Sequence, residues 1–210
     1  MVRLAVLPCA AALVLLLGAC GAGHQRNVSA KDLAAIAAPP PPVPKGAYRE
    51  DNTGDPSVFS LANLRARTET PAEKAALPVL AKAGFERGYQ KAWSGDIGNR
   101  DRSANVIVFL FRDASGTSDV LVALRRLLNE QFGEENSKIT QVDAAGLGEE
   151  SWGERAAGED EEFAYGWRSR NLVLIVDMVC FLECEPADQF RESARAYADA
   201  VDGRAEKAGR

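Results

Sequence analysis

Apolar positions fall into three regimes along the chain. An apolar run from Leu4 to Leu17 follows Arg3 and closes on Leu17-Gly18-Ala19-Cys20. From Gly21 to about Asp55 the residues are mostly Ala, Gly, Pro and polar, with four consecutive prolines at Pro39 to Pro42 and another at Pro44. Beyond Val58 periodic patterns take over, and these predict a folded domain.

The domain's elements can be read in order. Thr70-Pro71-Ala72-Glu73 has a capping threonine, proline at the first helical position and a glutamate to complete a capping box. The helix should reach Ala83, with Pro78 kinking or breaking its middle and Gly84 taking the left-handed position after it. Phe85, Tyr89 and Trp93 are spaced at four, which fits a helix face or one face of a strand; the glycines at 84 and 88 and the aromatic content favour a strand. Ser94 to Arg102 then reads as a hairpin loop and Ala104 to Phe111 as a buried strand. Val120, Leu121, Leu124, Leu127, Leu128 and Phe132 mark one face of a helix from near Ser115 to just before Gly133. Shorter strands are expected at Lys138 to Val142, around Trp152 and at Glu162 to Trp167. Arg170 and Asn171 supply a tight turn into Leu172 to Cys180, whose near-continuous apolar run predicts a central strand covered on both faces. After Pro186 a last helix carries the stripe Phe190, Ala194, Tyr197, Ala198 and Val201. The sum is an α+β fold, with helices packed on one mainly antiparallel sheet.

The first regime sets the expected address. A basic residue, an apolar stretch shorter than the roughly 20 residues of a spanning helix, and small residues before Cys20 have the layout of an export signal. Leu17, Ala19 and Cys20 resemble the bacterial lipobox, which implies cleavage before Cys20 and acylation of its thiol. The expected organisation is a signal peptide over 1–19, a lipidated, Pro-rich tether over 20–57 and a single domain over 58–206. Polyproline II would stiffen that tether into a spacer. Lys31 to Ala38 has apolar residues for a helical turn or two, but too few to stay folded alone.

Composition narrows the partners. One of the 25 Lys and Arg lies before Cys20, leaving 24 against 30 Asp and Glu in the processed chain, a formal charge of −6. That balance argues against nucleic acid, which needs a basic footprint. Of the four cysteines, Cys9 leaves with the signal and Cys20 takes the lipid, so Cys180 and Cys184 are the pair free to oxidise in an exported protein. In an unbroken strand they would lie about 13 Å apart, beyond the roughly 7 Å that a disulfide spans. A bridge therefore predicts a turn at Phe181 to Glu183.

Three short segments carry a family resemblance: Phe109 to Phe111 followed by Asp113-Ala114-Ser115-Gly116, then Gly-Leu-Gly-Glu-Glu-Ser at Gly146 to Ser151, then Trp-Arg-x-x-Asn-Leu-Val-Leu at Trp167 to Leu174. With the lipobox and the Pro-rich segment, these resemble exported lipoproteins of high-GC Gram-positive, actinobacterial type. The order is also similar to the extracellular sensor domains of actinobacterial Ser/Thr kinases and to PsbP-like lipoproteins. The resemblance implies a binding or sensing module on a helix-covered antiparallel sheet, and it carries over no catalytic residue.

Candidate chemistry is sparse. The one histidine, His24, falls in the tether. Two cysteines are too few for a structural zinc site, and Cys180 and Cys184, four apart at a strand end, have one more residue between them than the Cys-x-x-Cys of redox pairs. The acidic run from Glu149 to Glu162 lacks the alternating order of a calcium loop and reads as a solvated hairpin. Asp177 interrupts the most apolar strand; pairing with an arginine, or a place at an exposed patch, is the reading favoured over a polar group at a ligand cavity. Trp93, Trp152 and Trp167 could line such a cavity, although aromatics on strands more often fill a core. The expected function is that of a non-enzymatic cell-envelope lipoprotein, held on the extracytoplasmic face of the membrane by the lipid on Cys20. It would use no cofactor and would bind a partner protein or an envelope ligand. Two alternatives stand beside it: a carrier or sensor enclosing a small apolar molecule such as a lipid or glycolipid, and a hydrolase of envelope polymers using paired carboxylates.

Overall fold

The computed structural model describes residues 27–40, 48–50, 58–96, 101–134, 137–181, 184 and 186–208. The expected signal peptide, Cys20, His24 and most of the proline run lie outside the described residues.

The core of the fold is an antiparallel sheet of eight strands. β1 (Arg49–Glu50) and β2 (Val58–Phe59) both pair with the outer edge of β3 (Phe85–Asp96). β4 (Asp101–Phe111) follows β3 as a hairpin. The sheet then passes through β8 (Leu172–Cys180), β7 (Glu161–Ser169) and β6 (Glu150–Ala157) to β5 (Lys138–Val142) at the far edge. β8 thus sits between β4 and β7, in the place its apolar run predicted. Arg170, at φ +56°, makes the turn into it. The expected α+β architecture, helices on a mainly antiparallel sheet, is the one observed.

Strand alternation sorts the core into two faces. Val106, Val108, Phe163, Tyr165, Trp167, Leu174, Val176 and Met178 point to one side. There they meet α5 (Ala187–Ala208), whose Phe190, Ala194, Tyr197, Ala198 and Val201 are fully buried. Phe109, Phe111, Trp152, Val173 and Ile175 point to the other. Over them lie α2 (Leu61–Arg67), α3 (Pro71–Lys82) and α4 (Thr117–Glu134). The Thr70 hydroxyl accepts from the Glu73 backbone N–H, and the Glu73 carboxylate accepts from the Thr70 N–H, so the capping box forms as read. α3 runs through Pro78 without the break that was one of the two expected outcomes there. Lys74, four residues earlier, and Pro78 are both exposed, so water can satisfy the carbonyl that proline leaves unbonded.

The expected tether is a second correction. Val28, Leu33, Ile36 and Ala37 are buried in the α5-side core. Val28 exchanges hydrogen bonds with the Asn171 side chain, its N–H donating to Oδ1 (3.0 Å) and its carbonyl accepting from Nδ2 (3.2 Å). After a 3-10 turn, α1 (Leu33–Ile36) lies along α5. Arg204 and Tyr197 there donate to the carbonyls of Ile36 and Ala38. The reason is tertiary: two or three apolar side chains cannot hold a helix alone, yet they suffice once a ready-made apolar groove receives them.

Candidate functional site

Between the sheet and its α2–α3–α4 cover lies a cavity of about 480 Å³. Its floor is Ile107 and Phe109 of β4 with Ile175 of β8; its walls are Leu64 of α2, Ala76, Leu77 and Leu80 of α3, and Leu124, Leu127 and Leu128 of α4. Phe59, stacked on Phe85 and edge-on to Phe109, closes one side. Gly88 makes room for that ring, since a Cβ there would stand 2.0 Å from it. The polar groups, Asn63, Arg67, Thr68, Glu73, Gln90 and Gln131, lie around this apolar chamber. The Glu73 carboxylate is already engaged by the backbone N–H groups of Thr70 and Glu69, which hold its pKa below the usual range. A volume in the hundreds of cubic ångströms, apolar walls and a few polar groups are what small-molecule pockets share.

The sequence-predicted cavity residues do not converge here. Trp93 and Trp167 face α5, whereas Trp152 faces α4 across the sheet, so the three cannot line one cavity. Trp167 is completely buried and donates from Nε1 to Asp202 Oδ1 at 2.8 Å, tying β7 to α5. Trp152 lies flat over Gly166, where a Cβ would come within 2.3 Å of the indole. Trp93 is buried under Lys91, whose Nζ sits 5.7 Å from the ring centre. None of the three contributes to the 480 Å³ cavity.

Among the described residues no arginine pairs with Asp177. Its Oδ2 accepts from Asn105 Nδ2 at 3.1 Å, and Asn105 Oδ1 accepts in turn from Gln90 Nε2 at 3.4 Å. Burial raises the Asp177 carboxyl to about 7, while the Asn105 hydrogen bond pulls the other way. Of the two settings favoured from sequence, an arginine pair or an exposed patch, the arginine pair is replaced by an amide relay, and Gln90 connects that relay to the pocket.

Glu154 was missed, because it stands inside an acidic run that reads as solvated. It is 1 % exposed and its Oε1 accepts from Arg125 Nε (2.7 Å) and Asn129 Nδ2 (3.1 Å) of α4. Glu149 and Glu150 stay exposed and pair with Arg168, and the half-buried Glu161 pairs with Arg155. The available signal was period two: Trp152, Glu154 and Ala156 share one face of β6. Glu154 and Asp177 both register with Ala164, so they lie two strands apart, roughly 10 Å. Neither lines the described cavities, and α4 covers Glu154, so the pair does not open on a cleft.

Cys180 and Cys184 form a disulfide with Cα atoms 5.7 Å apart, far closer than an extended chain would place them. Among the described residues no three of His, Cys, Asp and Glu gather as a metal site, and no helix is long and apolar enough to cross a membrane.

No family model matches the chain, and no curated protein matches it in sequence. Among solved structures it is similar to the extracellular domain of PknH from Mycobacterium tuberculosis, at 14 % identity and a TM-score of 0.40 over 85 % of this chain and 99 % of that one.

Proposed function

We propose that the domain is a non-enzymatic binding module of the cell envelope, which takes a small apolar or amphipathic molecule into the chamber between α2, α3, α4 and the sheet. The observation that carries this reading is the 480 Å³ of apolar-walled space flanked by a few polar side chains. Of the expected functions it favours the carrier or sensor over partner binding, on leucines, isoleucine and phenylalanine rather than tryptophans. The lipobox and the Cys180–Cys184 bridge support an extracytoplasmic, lipid-anchored setting, since a disulfide persists where the compartment is oxidising. Docking of a partner protein stands second, supported by Val122, 62 % exposed at a smaller groove of about 330 Å³ between α3 and α4.

The test fills the chamber. A fluorescent single-chain fatty acid should bind the wild-type protein, and Leu77→Trp, on the α3 wall, should weaken it by at least about tenfold, the equivalent of 1.4 kcal/mol. Far-UV circular dichroism and thermal midpoint serve as fold controls. Unaltered affinity in a folded variant would refute the assignment. Mass spectrometry of the protein taken from its native membrane would then identify the natural occupant.

A further inference from the structure

We infer that the domain stands directly on the membrane surface in one orientation, with the end of the sheet around Asn171 and Arg112 against the bilayer and the pocket's polar side directed away from it. The inference rests on the lipoprotein reading of Cys20 and adds to it a point near the start of the described residues at which the chain is fixed to the fold. That point is Val28. It is 3 % exposed, held by Asn171 in both directions, and preceded by Asn27, whose Nδ2 donates to the Arg112 carbonyl. Seven residues separate Cys20 from Val28, and covalent geometry limits their reach to about 26–29 Å even when fully extended. A spacer running to residue 57 would leave the domain free to tumble; this one leaves it within about a domain's width of its acyl groups.

Strand directions then set what faces where. Asn171 also donates to the Phe111 carbonyl, so the anchored end comprises the end of β4, the start of β8 and, across β4, the start of β3 at Phe85. α4 begins at this end, because Gly116 abuts Ala83 just after α3. Its 18 residues carry Gln131 roughly 20 Å away along the helix axis. α3 runs the opposite way, so Glu73 and the α2–α3 connection with Thr68 also lie at the far end. Three of the pocket's six polar residues, Thr68, Glu73 and Gln131, are therefore on the side remote from Val28.

Full-length acylated protein in phosphatidylglycerol vesicles tests this by energy transfer to a headgroup-labelled lipid. Donors are placed at Arg112→Cys or Gln131→Cys, both exposed positions, and labelled without reductant so that the native disulfide stays closed. Transfer should be at least about twofold stronger from position 112 than from 131, given the ~20 Å between them along α4. Inserting twenty Gly/Ser residues between positions 26 and 27 should abolish that difference. Equal or reversed transfer in protein whose intact mass shows acylated Cys20 would overturn the orientation and leave the lipoprotein reading standing. A mass showing unmodified Cys20 would overturn both.

Discussion

A carboxylate on a central strand is expensive wherever water is scarce, and Asp177 has one amide hydrogen bond to offset that cost. Its folded-state pKa, about 7, lies above the ordinary value for aspartate. The folded protein therefore holds this proton more tightly than the unfolded chain does. The stability so contributed is complete below about pH 4 and is lost as pH rises to about 7. Asp177→Asn, which accepts and donates without ionising, should leave the thermal midpoint nearly unchanged at pH 4 and raise it at pH 8. A shift of about 2–4 °C is expected per kcal/mol gained; an equal effect at both pH values would show that ionisation is not the cause. From sequence, Asp177 stands out as an interruption, but its partner does not. Asn105 lies 72 residues away, and cross-strand register alone brings the two together. Glu154 teaches the converse: its burial under Arg125 and Asn129 is invisible among neighbouring glutamates until strand alternation and a helix 25 to 29 residues distant are both fixed.

At the scale of elements, local chemistry foretold most of the fold. The capping box at Thr70, the stripe of α5, the face of α4 and the boundaries of β8 all follow from short-range pattern. Segment 27–40 does not, because its stability is borrowed from α5. This makes a direct prediction. Ile36 is fully buried, so Ile36→Ala should cost about 2–5 kcal/mol of unfolding free energy, read from urea melts. A residue in a mere tether would cost nothing. Pro78 is the opposite case, where a local rule overstated the damage because both groups affected face solvent.

For the whole molecule, helices on both faces of one sheet make two separate cores, and the distribution of function follows from that division. The α5 side receives segment 27–40; the α2–α3–α4 side keeps the chamber. The Cys180–Cys184 bridge closes the short connection from β8 to α5. Loop-closure entropy for so small a ring is about 2 kcal/mol. Replacing both cysteines by serine should thus lower the thermal midpoint by about 4–8 °C in calorimetry. Without reductant, alkylation of the exported protein should label neither cysteine.

By itself the sequence determined most of the elements from α3 onward, the antiparallel α+β class, the central place of β8 and the disulfide pairing, because each rests on contacts or periodicities within a few residues or on a cysteine count; α2 and the short edge strands β1 and β2 were not read from it. Tertiary structure alone decided which face each tryptophan takes, that Glu154 is buried, that the segment beginning at Val28 belongs to the core, and where the chamber lies. All four depend on strand register and on helices laid across it, which bring together residues 25 to 168 positions apart. No local pattern encodes those distances.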